Sequence, residues 1–181
     1  DMVYLDATVR RDWDSALPEN KNGYTYGSIG ANFIFSEVLA DVGFLSFGKV
    51  RGSWARVGSD VDPLQLNPVY ATPAQVYQGG TIMLYTPNTL VDQNLTVPFN
   101  TSIEGGLDAR FLGGRLGFSF TYFDETRKDD IVGIQIPSVS GFSSYQTNAG
   151  VASRSGVEIS IDGDVIRSSN GFNWNVLFNF T

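Results

Sequence analysis

Residues 101–121, TSIEGGLDARFLGGRLGFSFT, constrain the fold of this chain more than any other stretch. On both sides of Gly113-Gly114 the side chains change character with a period of two, as in the arms of a β-hairpin. One face of the first arm is apolar or small: Ile103, Gly105, Leu107, Ala109 and Phe111. The opposite face carries Ser102, Glu104, Gly106, Asp108 and Arg110. The stretch therefore predicts a hairpin with one apolar and one charged face.

A two-faced β-sheet suits two environments. In a soluble β-sandwich the apolar face is inside and the polar face meets bulk water. In a membrane β-barrel the apolar face is turned out to lipid and the polar face lines the lumen. The orientation of the two faces therefore decides between the two classes of protein.

Composition favours the barrel. Charged residues make up 17% of the chain, whereas soluble domains average about 25%. No run of 18 apolar residues occurs, so the sequence predicts no transmembrane helix. The net charge of −7 and the lack of a Lys/Arg cluster argue against binding to nucleic acid.

The chain has no cysteine and no histidine. Disulfides, thiol chemistry, Ser-His-Asp triads and the usual zinc sites are thereby excluded. Glu104, Asp108 and Arg110 share a face, but no nucleophile and base accompany them. We therefore predict a protein that is not an enzyme and that has neither a cofactor nor a metal centre.

The hydrophobic pattern predicts about eight strands separated by connections that alternate between long and short. The predicted strands cover residues 2–11, 24–35, 44–57, 101–111, 115–123, 131–136, 151–166 and 172–181. Short turns on one side and long loops on the other are typical of bacterial outer-membrane barrels, whose long loops are extracellular. The chain starts and ends within predicted strands, and we expect it to be part of a larger molecule.

Several motifs follow one another in the order found in a known family. Residues 48–60, GKVRGSWARVGSD, and 102–111, SIEGGLDARF, are the longest of them. Shorter ones include Tyr122-Phe123-Asp124, Asn148-Ala149-Gly150 and Gly156-Val157-Glu158. Together they resemble the SusC/RagA-like TonB-dependent outer-membrane transporters of Bacteroidetes over nearly the whole chain.

This resemblance implies an all-β fold, an antiparallel transmembrane segment of about eight strands from a barrel of about 22. Residues 1–181 would all belong to the barrel domain, without a plug domain or a signal peptide. The whole protein would import oligosaccharides or peptides across the outer membrane, and we favour oligosaccharides. A SusD-like surface lipoprotein would cover the barrel, and TonB would act through parts of the protein outside these residues.

The resemblance also assigns roles to particular side chains. The apolar face would contact outer-membrane lipid, and the charged face would line the lumen. Six residues are expected to be lumen-facing: Glu104, Asp108, Arg110, Arg154, Glu158 and Asp162. Four aromatic residues in the extracellular loops are candidates for substrate binding: Trp13, Tyr70, Tyr77 and Tyr85. Aromatic rings suit stacking on sugars, but the tyrosines could instead pack their own loop, and Trp13 could belong to an interfacial girdle.

Three alternatives remain open at this point. The chain could form a β-sandwich that binds carbohydrate, or a small eight-stranded structural or adhesion barrel closed by pairing residues 2–11 with 172–181. Asp60 and Asp62 have the two-residue spacing of oxygen ligands for calcium, but an ordinary Asx turn has it too.

Overall fold

The computed structural model describes residues 2–39, 43–62, 66, 69–72, 79–168 and 171–181. They form one eight-stranded sheet and two short 3-10 turns, Phe35–Glu37 and Ser138–Ser140. The strands are β1 (Val3–Trp13), β2 (Gly23–Phe33), β3 (Leu45–Gly58), β4 (Thr89–Val91), β5 (Phe99–Phe111), β6 (Leu116–Gln135), β7 (Ser144–Arg167) and β8 (Asn173–Phe180). Across these ranges, no helix has the length and apolar character needed to cross a membrane.

The strand order is β1-β2-β3-β5-β6-β7, and both β8 and β4 pair with β7. Every pair is antiparallel except the short β4–β7 pair, which is parallel. All the described strands belong to one sheet, so the described residues form no sandwich. β1 pairs with β2 and β8 pairs with β7, but β1 and β8 do not pair with each other. The described sheet is therefore not closed into a small barrel. Neither of the two alternative folds matches this topology.

The register brings like residues together across the sheet. One row places Val50, Leu107, Phe120, Ile159 and Phe180 side by side on five strands. The next row, one residue along, places Lys49, Asp108, Ser119, Ser160 and Asn179 side by side. Because side chains alternate between faces, the sheet has an apolar face, which carries the first row, and a charged face, which carries the second.

The turn between β5 and β6 is the one expected at Gly113-Gly114. Gly113 and Gly114 have φ angles of 68° and 84°, in the left-handed region that glycine adopts without a steric penalty. Leu112, with φ of 55°, also enters this region, which L-residues other than glycine seldom do. Ser46 holds the turn against β3, because its Oγ accepts a 2.8 Å hydrogen bond from the Gly113 amide.

Two strands extend further than the sequence pattern predicts. Residues 124–130, expected to be a polar connection, lie within β6, and the strand expected at 131–136 is the end of that same strand. β7 begins at Ser144 rather than near 151. Residues 124–128 pair with residues 151–155 of β7, residues 144–148 pair with residues 131–135 of β6, and a bulge at Asp129 lets the two strands stay paired. The polar composition of these segments predicted loops. In the structure it indicates only the level at which the apolar face of the sheet ends.

Most of the buried core lies in the connections, together with Tyr24 near the start of β2 and Val91 at the end of β4. Seven side chains form it: Leu17, Tyr24, Val61, Leu66, Val91, Leu95 and Val97. Leu95 is completely buried. Apolar strand residues stay open by contrast, with Leu5 at 77% and Val9 at 83% exposure. The connections between β1 and β2 and between β3 and β5 thus pack together as a unit, which we call the loop cluster.

Candidate functional site

Asp108 is the centre of an ion-pair network on the charged face. Its carboxylate lies 3.1 Å from Lys49 Nζ and 3.5 Å from Arg51 Nε, and it accepts a 2.7 Å hydrogen bond from Ser119 Oγ. Arg51 Nη2 also donates to Thr121 Oγ1 at 2.6 Å. The register explains the network, because β3, β5 and β6 are neighbours and Lys49, Asp108 and Ser119 lie opposite one another. These contacts link β3, β5 and β6 at one level of the sheet.

Two further ion pairs tie β7 to its neighbour β6 and, across β6, to β5. Arg110 Nη1 lies 3.8 Å from Asp162, and Arg154 binds Glu125, which also accepts a hydrogen bond from Asn100. Of the six residues predicted to share a face, Asp108, Arg110, Arg154 and Asp162 therefore take part in ion pairs.

Glu104 and Glu158 lie on the same face but join no ion pair among the described residues. With Phe123 and Arg154 they line an open concavity of about 410 Å³. The structure thus places all six predicted residues on one face. Four of them form ion pairs, whereas the carboxylates of Glu104 and Glu158 have no ion-pair partner among the described residues.

The chemistry of this face is that of a polar contact surface. In the parts of the chain that the structure describes, no group of three or more His, Cys, Asp or Glu side chains could hold a metal ion. Tyr24 Oη donates to Asp60 at 3.3 Å, so Asp60 takes part in packing the loop cluster. Asp12 and Asp14 line the same concavity as Asp60 and Asp62, but these described carboxylates form no group of three that could hold the calcium ion considered for Asp60 and Asp62.

The predicted loop aromatics lie in different surroundings. Tyr70 and Tyr85 are 69% and 54% exposed, at an antiparallel bridge that joins Ala71 and Tyr85 through two 3.0 Å backbone hydrogen bonds. Both rings are therefore open to a ligand. Tyr77 lies outside the described residues.

Trp13 ends β1 on the apolar face. Its ring is 65% exposed, and the Arg11 guanidinium lies 5.1 Å from the ring centroid. The indole also lies across Gly23, where an added Cβ would come within 3.0 Å of Nε1. An aromatic ring beside a cation at the end of an apolar strand face is the arrangement of an interfacial girdle, the alternative already weighed for this residue.

The long connection is fastened to the extension of β7 by its own polar side chains. Asp92 accepts hydrogen bonds from the Asn94 amide at 2.8 Å and from Thr147 Oγ1 at 2.9 Å. These two donors hold the pKa of the Asp92 carboxyl below its ordinary value. Asn148 binds the backbone of Thr96 on both sides, donating to its carbonyl at 2.9 Å and accepting from its amide at 2.8 Å. The loop therefore keeps a defined position above the strands.

Two groups of residues escaped prediction. Lys49 and Arg51 belong to the charged face, and their alternation with Val50 was the signal that could have placed them there. Leu95 and Asp92 fix the loop, but no periodicity marks them, since a loop core is assembled from single residues far apart in sequence.

The complete chain, residues 1–181, matches the family model described as "TonB dependent receptor-like, beta-barrel". The chain belongs to the TonB-dependent receptor family. Receptors of this family are outer-membrane proteins, and these residues are a segment of the barrel wall. The family comprises receptors and transporters.

Individual relatives agree with this assignment. TonB-dependent receptor P39 of Formosa agariphila is 27% identical over 180 residues, and TonB-dependent receptor SusC of Bacteroides thetaiotaomicron is 30% identical over 184. These matches cover 98% and 96% of this chain but 17% and 18% of the relatives. The chain thus spans less than a fifth of the length of these receptors.

The fold agrees as well. A structure of the RagAB peptide importer in the closed-closed state superposes with a TM-score of 0.83 and 22% identity. The match covers 99% of this chain and 19% of the importer chain. The predicted fold class, an antiparallel segment of a transmembrane barrel, is confirmed.

Proposed function

We propose that this segment is part of the wall of an outer-membrane TonB-dependent importer that carries oligosaccharides or peptides. The observation that supports this most is the alignment of one apolar and one charged face across antiparallel strands of a receptor-family barrel. An importer wall needs such a sheet, since one side contacts lipid and the other contacts polar cargo and protein.

The apolar face is proposed to contact lipid. On β5 it extends from Phe111 to Ile103, about 27 Å of strand, which at a tilt of about 40° covers about 20 Å of membrane. At the level of Ile103 the same face begins to turn polar, with Asp124 opposite it on β6, and the next row holds Thr101 and Thr126. This height matches the apolar band of outer-membrane barrels, which is about 25 Å tall.

The charged face is proposed to line the lumen, where its ion pairs brace the wall. Glu104 and Glu158 would be free there to bind a plug domain or hydrated cargo. The loop cluster, at the opposite end from the β5–β6 turn, would then be extracellular and form part of the mouth. A SusD-like lipoprotein would close over this mouth, and TonB would supply energy through other parts of the receptor.

Oligosaccharide is our proposed cargo class, with peptide as the second candidate. The exposed rings of Tyr70 and Tyr85 favour sugar, because flat aromatic faces stack on the apolar faces of pyranose rings. Tyr77 and Trp13 stay candidates for the same role. Peptide is supported by the fold of RagAB, which is named as a peptide importer.

The test is growth of the native host on single nutrients after deletion of the full-length gene. We expect growth to be lost on at least one oligosaccharide, with growth on peptides unchanged, and to return with the intact gene. Loss of growth on peptides alone would establish the second candidate. Unchanged growth on every nutrient, together with unchanged uptake of labelled oligosaccharide and peptide, would contradict import.

A pair of variants then tests the tyrosines. Replacing Tyr70 and Tyr85 by alanine should lower uptake at limiting oligosaccharide, while phenylalanine at both positions should preserve it. Val139→Ala is a suitable control, because Val139 is 96% exposed in a different loop. Equal uptake by the alanine and phenylalanine variants would remove these rings from the binding site.

A further inference from the structure

Six cations on the charged face differ in their partners from three cations on the apolar face. On the charged face Arg10, Lys49, Arg51, Arg110, Arg127 and Arg154 each pair with a carboxylate. On the apolar face Arg11, Arg56 and Lys128 form no ion pair with any described carboxylate.

The unpaired cations lie within one same-face row of each other, where the apolar face ends. Arg56 follows Trp54 on β3, and Lys128 lies two residues beyond Thr126 on β6. Arg11 precedes Trp13 at the end of β1. Below this level the face is apolar, so in the proposed orientation these side chains meet the layer of lipid headgroups.

Two of these cations share a groove. Arg56 and Lys128 line a concavity of about 370 Å³ on the apolar face of β3, β5 and β6, with Phe99 between them and Ile103 at its lower end. The Arg56 guanidinium lies 4.0 Å from the centroid of the Phe99 ring. Stacking on this ring restricts the guanidinium while leaving its N–H edge free for a ligand.

The spacing suits a small anion. Arg56 lies opposite Thr101, which lies opposite Thr126, and Lys128 is two residues further on. Regular strand geometry then separates the two Cα atoms by about 12 Å. An arginine and a lysine side chain can both reach a single phosphate across this distance, and guanidinium groups bind phosphate through two parallel hydrogen bonds.

We infer that this groove binds the phosphate of an outer-leaflet lipid headgroup through Arg56 and Lys128. The inference rests on the proposed orientation of the apolar face. Continuity with the lipid-facing surface selects a lipid over a free anion, because the acyl chains of the same molecule would pack on Ile103 and the apolar rows below it. Arg11 and Trp13 would contact headgroups further round the same wall.

The groove also contains two carboxylates, which limit the binding mode. Asp124 is on its membrane side and Asp129 at its upper end. Two cations and two carboxylates cancel in net charge, so long-range attraction for anions is small. Selectivity must come from short-range contact with the guanidinium and ammonium groups, and binding should survive moderate salt better than binding to a purely basic patch would.

The experiment compares lipid retention by two charge-matched variants of the full-length receptor purified from outer membranes. Arg56→Gln/Lys128→Gln removes both groove cations. Lys21→Gln/Arg167→Gln removes two positive charges elsewhere. Each protein is incubated in detergent with diphosphoryl lipid A or with the same lipid after enzymatic dephosphorylation, and bound lipid is counted by native mass spectrometry.

We expect the groove variant to retain about tenfold less diphosphoryl lipid than the native protein, since it loses both charge-assisted contacts. The control variant should retain the native amount, and the dephosphorylated lipid should bind weakly to all three. Native retention by the groove variant, or equal retention of both lipids by the native protein, would overturn the inference. Arg56→Lys/Lys128→Arg, which keeps both charges, should restore retention if the glutamine variant assembles poorly.

A second readout separates this inference from the function on which it rests. A nitroxide at residue 56 reports oxygen accessibility in the reconstituted receptor. Low oxygen accessibility, typical of a water-filled lumen, would contradict the orientation of the wall itself. Oxygen accessibility typical of the headgroup region, with lipid retention unaffected by Arg56→Gln/Lys128→Gln, would refute the phosphate site alone.

Discussion

At the scale of single residues, the charged face combines satisfied and available carboxylates. Asp108 has two cationic partners and a hydroxyl donor, whereas Glu104, four residues away on the same face of β5, has no ion-pair partner among the described residues. The two carboxylates have the same charge and a similar position. Comparing them therefore separates bracing of the wall from contact with other molecules.

Asp108→Asn should lower the free energy of unfolding of the receptor by about 1–2 kcal/mol, because Lys49 and Arg51 lose their shared anion in a partly exposed site. Glu104→Gln is the matched control and should change stability by less than about 0.5 kcal/mol. Urea unfolding followed by heat-modifiable gel mobility measures both. Equal effects of the two substitutions would contradict the assignment of Asp108 as a brace.

The Asp92 carboxyl predicts a dependence on pH. Its pKa is lowered in the folded loop by the Asn94 amide and the Thr147 hydroxyl, so it stabilises the loop fully above the unfolded value of 3.8. That stabilisation is lost as the pH falls from this value through the lower, folded pKa. Amide hydrogen exchange at residues 89–97 should therefore rise in the native protein over this acid range. The comparison is with Asp92→Asn, in which residue 92 does not titrate.

Exchange is compared between native protein and variant at each pH, which removes the intrinsic effect of acid on amide exchange. At pH 6 the native loop should be the better protected of the two. The account of this loop would be wrong if native and variant proteins differed by a constant amount from pH 6 to pH 2.

At the scale of elements, the strands are defined by partners rather than by composition. β5 and the first half of β6 could be predicted from the sequence, because apolar residues there alternate with polar or small ones from one position to the next. The second half of β6 was not, because residues 124–130 are polar on both faces. Hydrogen bonding to β7, a long-range property, makes this segment a strand.

The same reasoning explains which parts of the candidate site could be predicted. The six charged residues on strands follow from a period of two, and they share a face as expected. β4 and the loop cluster could not be predicted, because Thr89–Val91 pairs with a strand more than fifty residues away and Leu95 is buried by residues from two other connections.

Leu107→Arg should impair assembly or lower stability by about 2–4 kcal/mol, the cost of an exposed cation near the middle of the lipid-facing band. Ser160→Arg is the matched substitution, because Ser160 lies one row away on the charged face. It should be tolerated with little loss. The yield of heat-modifiable receptor in outer-membrane fractions measures both, and equal tolerance of the two arginines would contradict the two-faced assignment.

Leu95→Ala should open the loop cluster without affecting the strands. Leu95 is completely buried, and its truncation leaves a cavity that costs about 2–5 kcal/mol. Limited proteolysis of intact cells should then cleave the connection between β3 and β5 faster than in native protein. Leu84→Ala, at a side chain that is 61% exposed, should leave the rate unchanged.

Protection of the Leu95→Ala loop equal to that of native protein would show that the cluster is not held by its core. Cleavage only after the outer membrane is disrupted, in native protein and variant alike, would instead place the loop on the periplasmic side.

At the scale of the whole molecule, this segment buries its core in loops and leaves both faces of its sheet open. The apolar face of such a sheet must be covered, whereas its charged face can also be left to water. Lipid can cover the apolar face, and a plug or hydrated cargo can cover the charged face. The family, the fold and the two-faced register together support a wall that separates membrane from lumen.

The most direct test of this account is the accessibility of single nitroxide labels in the full-length receptor reconstituted in liposomes. Labels are placed one at a time at Ile103, Glu104, Leu107 and Asp108, and relaxation is measured with oxygen, which dissolves in lipid, and with a water-soluble nickel chelate. We predict high oxygen and low nickel accessibility at positions 103 and 107, with the reverse at 104 and 108. Nickel accessibility that is higher at 103 and 107 than at 104 and 108 would contradict the central claim.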